Sequence, residues 1–260
     1  MIRVITLDFG NTLVPVSAEG LRGVVVHTAT AMASDLGPFD VDEVLRAWGE
    51  ERERQFREEV PQFREVDLAQ RVVRILARLR GMAPPPPDGR WDDGAAARLS
   101  TADEVDWAVE VYSLGFVASL PPAPTAGALL ARLAGTYRLG ILSNWPLAAT
   151  IDRYVEAAGW APHLSAVVVS QRVGTIKPHP AIFAAARTAL GSPEPSEMLH
   201  VGDDWIADVV GAKRAGWRAA WLASRPADSP LPGSTRDDEA VPDLELDTLD
   251  DLEAGLARLG

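Results

Sequence analysis

The stretch of sequence that decides the fold is the run Arg3-Val4-Ile5-Thr6-Leu7-Asp8-Phe9-Gly10-Asn11-Thr12-Leu13. Its first half is apolar and rich in β-branched residues, which is typical of a strand buried on both faces of a parallel sheet. The run then changes to a carboxylate, a glycine and an asparagine, which indicate a loop. Because open α/β sheets bind ligands at the carboxyl ends of their strands, we expect Asp8 to lie at a functional site.

Short strands alternate with helices again after residue 121. Strands are predicted over residues 137–142, 166–170, 198–201 and 219–222, with a further edge strand over 244–246. This alternation predicts an α/β fold, a doubly wound Rossmann-like parallel sheet with helices on both faces. Residues 223–242, rich in Pro, Ser, Gly and Asp, are predicted to form a surface loop.

The region between the first strand and residue 121 has helical periodicity instead. Helices are predicted over about residues 18–36, 41–59, 66–80 and 103–120. Residues 83–89 contain consecutive prolines and are predicted to form a stiff connector within this region. We therefore expect an α/β core domain formed by residues 1–14 and 121–260, and an inserted α-helical domain formed by residues 15–120.

Composition limits the partners and the location. A net charge of −12 argues against a nucleic-acid partner, because such proteins gain affinity from basic patches. The absence of cysteine excludes thiol catalysis and cysteine-based zinc sites. No secretory signal or membrane-spanning run is visible, so we expect a cytoplasmic protein with no membrane partner. Both a monomer and a homodimer stay open.

Polar residues follow three of the predicted strands. Asp8 follows the first, Ser143 and Asn144 follow the second, and Gly202-Asp203-Asp204 follows a later one. The carboxyl ends of parallel strands meet at one edge, so we expect these residues to converge. An aspartate can attack phosphorus, and further carboxylates can hold Mg²⁺. Hydroxyl and amide groups and a fixed lysine such as Lys177 can bind phosphate oxygens, so the set favours phosphoryl transfer to a carboxylate.

Four motifs in the right order make the chain resemble the haloacid dehalogenase superfamily of hydrolases. They are Asp8-Phe9-Gly10-Asn11-Thr12, Ser143, Lys177-Pro178-His179-Pro180 and Gly202-Asp203-Asp204-Trp205-Ile206-Ala207-Asp208. The resemblance covers the whole chain, and the inserted helices resemble the α-helical cap of one subfamily, the C1 type. In that subfamily the cap closes over the core site and is the place to look for substrate choice.

The resemblance also implies roles for individual residues. Asp8 would be the catalytic nucleophile, and Lys177 would balance the charge on Asp8 and on the phosphate. The candidate phosphate-binding residues are Thr12, Ser143, Asn144 and Lys177, although Asn144 could equally close the turn. The candidate ligands of a Mg²⁺ cofactor are Asp8, the Gly10 carbonyl, Asp203 and Asp208. Asp204 and His179 are each expected to begin the helix that follows them.

Gly10 departs from the family pattern. Phosphatases of the family usually carry a second aspartate two residues after the nucleophile, which protonates the leaving group, and glycine cannot donate a proton. The loss of such a general acid typically costs about 10² to 10⁴ in rate. The substrate would then need a good leaving group, or the acid would come from the cap, Asp204 or water.

Three functions stay open at this point. The favoured one is a Mg²⁺-dependent, phosphatase-like hydrolase that acts on a small phosphorylated metabolite through an aspartyl-phosphate on Asp8. A metal-independent dehalogenase-type hydrolase is weakened by Asp203 and Asp208, because the family's dehalogenases lack this acidic motif. A phosphonatase would need a cap lysine, and residues 14–120 contain none. The third function is a phosphate-binding or regulatory relative with low activity.

Overall fold

The computed structural model describes residues 1–84 and 98–259, and a six-stranded parallel sheet lies at its centre. The strands are β1 (Val4–Leu7), β2 (Arg138–Ser143), β3 (Ala166–Val169), β4 (Met198–Gly202), β5 (Arg218–Leu222) and β6 (Leu244–Leu246). They lie in the order β3-β2-β1-β4-β5-β6, and every neighbouring pair is parallel. The predicted α/β class and parallel sheet are confirmed.

β1 lies in the middle of the sheet because its four residues are all buried. It pairs with β2 on one side and with β4 on the other. The chain therefore builds the sheet in one direction from β1 to β3 and in the opposite direction from β4 to β6. A crevice outside the carboxyl ends of β1 and β4 follows from this reversal, and it is where open α/β sheets bind ligands.

Helices surround the sheet and fill the chain between β1 and β2. They are α1 (Ala18–Asp35), α2 (Val41–Glu58), α3 (Leu68–Leu79), α4 (Ala102–Ser119), α5 (Ala126–Ala134), α6 (Ala148–Ala157), α7 (Ser170–Val173), α8 (Pro180–Ala189), α9 (Gly211–Arg214) and α10 (Leu252–Leu259). Side chains of Ser17, Asp40, Asp67 and Thr101 accept hydrogen bonds from the first turns of α1 to α4. These caps explain why the four helices begin close to their predicted positions.

Buried apolar residues of α1 to α4 and of the sheet form one continuous hydrophobic cluster, in which α4 packs against both α1 and α6. The division into a core domain and a cap domain therefore stays a prediction. Most of the connector predicted over 83–89 lies outside the described residues. Within 1–84 and 98–259, no helix combines the length and apolar character that crossing a membrane requires.

The helical segment that follows β4 consists of two parts. Trp205–Val210 forms a π-helical turn, and α9 continues from it. The Asp204 side chain caps this turn by accepting a hydrogen bond from the N–H of Ala207 at 2.8 Å, as predicted. In the wider turn, Asp208 accepts a hydrogen bond from the N–H of Asp204 at 2.8 Å. A π-helical turn is common at functional sites, and this one brings Asp208 back towards the end of β4.

Candidate active site

The loop after β1 positions Asp8 at the carboxyl edge of the sheet. The Asp8 N–H donates to the carbonyl of Val201 in β4 at 2.8 Å, so the loop begins in register with the neighbouring strand. Asn11 has φ of 59°, a left-handed conformation that asparagine tolerates better than most residues. Its Nδ2 donates to Asp203 Oδ2 at 3.3 Å. The loops after β1 and β4 are therefore joined directly.

Lys177 connects the nucleophile candidate to the acidic motif. Its Nζ lies 2.8 Å from Asp8 Oδ1 and 2.6 Å from Asp208 Oδ1, and it donates to the Leu142 carbonyl at 2.9 Å. The side chain is 2% exposed, so these contacts are made away from water. Both charged neighbours raise the pKa of Lys177 despite the opposing effect of burial, so the ammonium stays protonated.

Asn144 holds the backbone of Lys177 in place. Its Oδ1 accepts a hydrogen bond from the Lys177 N–H at 2.7 Å, and its Nδ2 donates to the Lys177 carbonyl at 3.0 Å. The end of β2 thereby fixes the loop that carries the lysine. The structure gives Asn144 this positioning role, and its binding to phosphate stays a prediction.

His200 in β4 supports the inner side of the site. Burial and then the nearby Lys177 lower its pKa, so the imidazole is neutral at neutral pH. Its Nε2 lies 3.0 Å from Asp208 Oδ1, and its Nδ1 lies 2.9 Å from the Thr6 hydroxyl. Because the ionised Asp208 carboxylate can only accept a hydrogen bond, the ring proton of His200 lies on Nε2. Burial alone would raise the pKa of Asp208, but Lys177 and His200 outweigh it and hold that pKa well below its usual range.

Three buried carboxylates crowd together at the ends of β1 and β4. Ligand oxygens of Asp8, Asp203 and Asp208 all lie within 4.8 Å of one another. Burial, and then repulsion from the other two carboxylates, raises the pKa of Asp203 to about 8. Burial also raises the pKa of Asp8, although Lys177 opposes it. Carboxylates that repel one another in this way would be stabilised by a divalent cation.

The donor set fits Mg²⁺, which prefers oxygen ligands. Among the described residues, none donates a hydrogen bond to Asp8 Oδ2 or Asp203 Oδ1, so both atoms can face a cation. Both oxygens of Asp208 already accept hydrogen bonds, from Lys177 and the Asp204 N–H. Asp208 is therefore suited to a supporting position behind the other two. Asp203 Oδ2 also pairs with the Arg225 guanidinium at 3.0 Å, a contact that the sequence did not predict.

Thr12, in the loop after β1, and Ser143, at the end of β2, carry two buried hydroxyl groups. They are 2% and 1% exposed, and neither hydroxyl has a hydrogen-bonding partner among the described residues. Burial of a hydroxyl group without a hydrogen-bonding partner costs free energy, so such groups ordinarily have a partner. An oxygen-rich ligand such as phosphate would satisfy both hydroxyls, so their predicted role fits the geometry and stays a prediction.

Apolar side chains fill the space beside Gly10. A Cβ atom at this position would lie 2.7 Å from Leu231 Cδ1 and 3.3 Å from Trp145 Cζ3. Glycine therefore fits at this position because there is little room for a side chain. A proton donor at this position would lie next to hydrocarbon.

The loop after β5 contributes residues that sequence reasoning missed. In addition to Leu231, the loop contributes Arg225 and Ser229. The Arg225 guanidinium donates a hydrogen bond to the Leu231 carbonyl, and the Ser229 hydroxyl donates one to Asn11 Oδ1 at 3.1 Å. The Pro230 carbonyl accepts a hydrogen bond from Arg52 of α2 at 3.1 Å. The surface loop predicted over 223–242 therefore contacts both the site and the helical insertion. Its turn-rich composition carried no signal of these contacts.

A cavity of about 300 Å³ lies over the site. It extends from the carboxylates to α2, α3 and α4, and polar residues that line it include Asp8, Asp203, Lys177, Arg52, Arg71 and Tyr112. A small metabolite can therefore reach the carboxylates and the inserted helices at the same time.

Comparison with known proteins gives a consistent result. The family model described as haloacid dehalogenase-like hydrolase matches residues 2–216. The pyrimidine 5'-nucleotidase YjjG of Escherichia coli is 32% identical over 42% of this chain and 48% of its own length. A phosphoserine phosphatase of Thermus thermophilus is 42% identical over 35% of this chain and 34% of its own length. The matched regions thus span about half or less of these curated relatives.

Solved structures extend the similarity to the full length. The 2-haloacid dehalogenase of Pseudomonas syringae pv. tomato matches with a TM-score of 0.71 at 27% identity, and the match covers 100% of both chains.

Proposed function

Because the chain belongs to the family of haloacid dehalogenase-like hydrolases, we propose that it is a Mg²⁺-dependent phosphatase acting on a small phosphorylated metabolite. The observation that carries the proposal is the pairing of Lys177 with Asp8 beside a cluster of three carboxylates. The nucleotidase and the phosphoserine phosphatase among its relatives support a phosphate ester as the substrate.

Asp8 is the nucleophile in this proposal. Its carboxylate attacks phosphorus, a bond forms between one carboxylate oxygen and the phosphoryl group, and the bond from phosphorus to the leaving-group oxygen breaks with its electron pair. Water then attacks phosphorus in the aspartyl-phosphate, which releases inorganic phosphate and restores Asp8. The fixed Lys177 ammonium stabilises negative charge on Asp8 and on the phosphoryl oxygens throughout.

Asp8 and Asp203, with Asp208 behind them, would hold Mg²⁺, which would offset the charge of the phosphate and of the crowded carboxylates. When all three carboxylates are ionised, as cation binding requires, they and the Lys177 and Arg225 side chains carry a net charge of about −1, which alone would repel a phosphate. A bound divalent cation reverses that sign. The Thr12 and Ser143 hydroxyls would then donate to phosphoryl oxygens.

Proton donation distinguishes this site from that of a typical phosphatase in the family. Gly10 has no acid to offer, and Leu231 and Trp145 lie where a side chain at this position would begin. The leaving group must therefore depart with little help, so we infer that good substrates are acyl phosphates or esters whose alcohols are acidic.

Dehalogenase-type hydrolysis without metal is the second candidate. A 2-haloacid dehalogenase aligns over the whole chain, and displacement of a halide requires no proton donor at Gly10. Against it, a site without a cation would leave nothing between the carboxylates of Asp8, Asp203 and Asp208 to offset their mutual repulsion.

One panel experiment separates these functions. The purified protein is assayed with acetyl phosphate, p-nitrophenyl phosphate, alkyl phosphates and 2-chloropropionate, each with Mg²⁺ and with a chelator. The proposal expects phosphate release that requires Mg²⁺ and is abolished by Asp8→Asn. Chloride release in the presence of chelator would favour the dehalogenase instead. Binding of phosphate and Mg²⁺ without turnover would indicate a phosphate-binding relative.

A further inference from the structure

A buried arginine lines the cavity. Arg71 of α3 is 5% exposed and lines the same cavity as the carboxylates of Asp8, Asp203 and Asp208. Its Nε donates to Gln55 Oε1 at 2.8 Å, and Gln55 Nε2 in turn donates to the Asp67 carbonyl at 2.9 Å. These contacts hold the guanidinium in one orientation. None of the described carboxylates forms an ion pair with it.

Neighbouring arginines behave differently. Arg54 of α2 pairs with Glu51 at 2.7 Å, and Arg78 of α3 pairs with the same carboxylate at 3.0 Å. The chain carries an excess of acidic residues, and the helices around Arg71 already use several of them in ion pairs. The Arg71 guanidinium instead lies 5.8 Å from the centre of the Trp48 ring. Glu59 and Glu65 attract its charge without forming an ion pair with it, so the cost of burying this charge is only partly compensated.

Arg52 adds a second cation to the same wall of the cavity. One of its nitrogens donates to the Pro230 carbonyl, and its guanidinium lies 4.7 Å from the centre of the Phe56 ring. It forms no ion pair with a described residue. Burial, and then repulsion from Arg52, lower the pKa of Arg71 to about 10. Two cations that repel each other in a cavity would be stabilised by an anion placed between them.

We propose that Arg71 and Arg52 form a second anion subsite, which binds a carboxylate or phosphate at the end of the substrate opposite the phosphoryl group attacked by Asp8. The guanidinium group suits this chemistry because its planar array of donors matches two oxygens of either anion. The inference rests on the proposed function for the reacting end. It restricts the substrate class to small phosphorylated metabolites with a second acidic group.

Binding without turnover tests the subsite directly. In the Asp8→Asn variant with Mg²⁺, calorimetry compares glycerol 3-phosphate with 3-phosphoglycerate, which adds a carboxylate, and with 1,3-propanediol bisphosphate, which adds a phosphate. We expect at least one of the doubly acidic compounds to bind roughly ten- to a hundredfold more tightly than glycerol 3-phosphate, as for a charge-assisted hydrogen bond. The tighter of the two identifies the preferred anion.

Arg71→Met in the same background should abolish this preference, and Arg71→Lys should retain part of it. The matched control is Arg78→Met, which removes an arginine of the same helix outside the cavity and should keep the preference. Loss of an unpaired buried charge should leave Arg71→Met folded, which circular dichroism checks. With the active enzyme, Arg71→Met should raise KM for the doubly acidic substrate while kcat changes little.

Equal binding of the three compounds, no binding of any, or a preference that persists in folded Arg71→Met would overturn the subsite. A clear binding preference in a protein that shows no hydrolysis would instead overturn the phosphatase function and leave the subsite standing.

Discussion

Restoration of a proton donor beside Asp8 should increase activity only if room is made for it. An aspartate at Gly10 would bring its Cβ to 2.7 Å from Leu231 Cδ1, well inside ordinary van der Waals contact. The obstructing atom is the tip of a half-buried side chain, so it can be removed. We therefore expect Gly10→Asp alone to give a small gain, because overpacking of this kind typically costs about 1–3 kcal/mol.

The double variant Gly10→Asp with Leu231→Ala should give the full effect. A positioned general acid is worth about 10² to 10⁴ in rate, or roughly 3–5 kcal/mol of barrier. The gain should appear with alkyl phosphates, whose leaving groups need a proton, and should be small with acetyl phosphate. Leu231→Ala alone serves as the control, since it opens the space without adding an acid.

The assay is phosphate release under saturating Mg²⁺ for a series of esters with different leaving-group pKa. In the unmodified protein, log(kcat/KM) should fall steeply as the leaving-group pKa rises, and the double variant should flatten this dependence. A folded double variant with no gain on alkyl phosphates would refute the view that Gly10 is the only deficiency of the site.

Three further changes test the roles of charged residues. Lys177→Met should abolish turnover and lower the free energy of unfolding by about 3–5 kcal/mol, because it leaves Asp8 and Asp208 buried without their cation; urea denaturation measures this. The pKa of Asp203 is raised to about 8, so its contribution to stability is fully present below its ordinary pKa near 4 and is lost as pH rises through about 8. Without metal, the free energy of unfolding of the unmodified protein should therefore fall more steeply between about pH 4 and 8 than that of the Asp203→Asn variant. Urea titrations at a series of pH values measure this difference. Asp204→Ala should cost about 1 kcal/mol of stability through loss of the cap, while an unchanged melting temperature would contradict that role.

Much of the fold and the position of the site followed from short stretches of sequence. The run ending at Asp8 predicted a central buried strand because apolar β-branched residues continue without alternation, and β1 is that strand. Asp8 and Asp203 could be placed together because each follows a parallel strand. For Lys177, the residues alone suggested a cation for phosphate, and only the family resemblance implied that it balances the charge of Asp8.

Other parts of the site could not be predicted because they depend on tertiary contacts. Arg225 and Leu231 lie in a turn-rich loop without periodicity, and only the folded chain brings them to Asp203 and Gly10. Arg71 lies among apolar residues of an amphipathic helix, where an arginine ordinarily reaches solvent. Only the folded chain shows that no carboxylate within residues 1–84 and 98–259 forms an ion pair with it.

The central claim is that Asp8 carries the phosphoryl group during turnover. Rapid acid quench during hydrolysis of acetyl phosphate with Mg²⁺, followed by peptide mass spectrometry, tests it most directly. We expect a phosphorylated peptide that contains Asp8, formed and discharged at rates compatible with turnover and absent in Asp8→Asn. Phosphate release that continues in Asp8→Asn, or turnover with no phosphoryl group on this peptide, would contradict it.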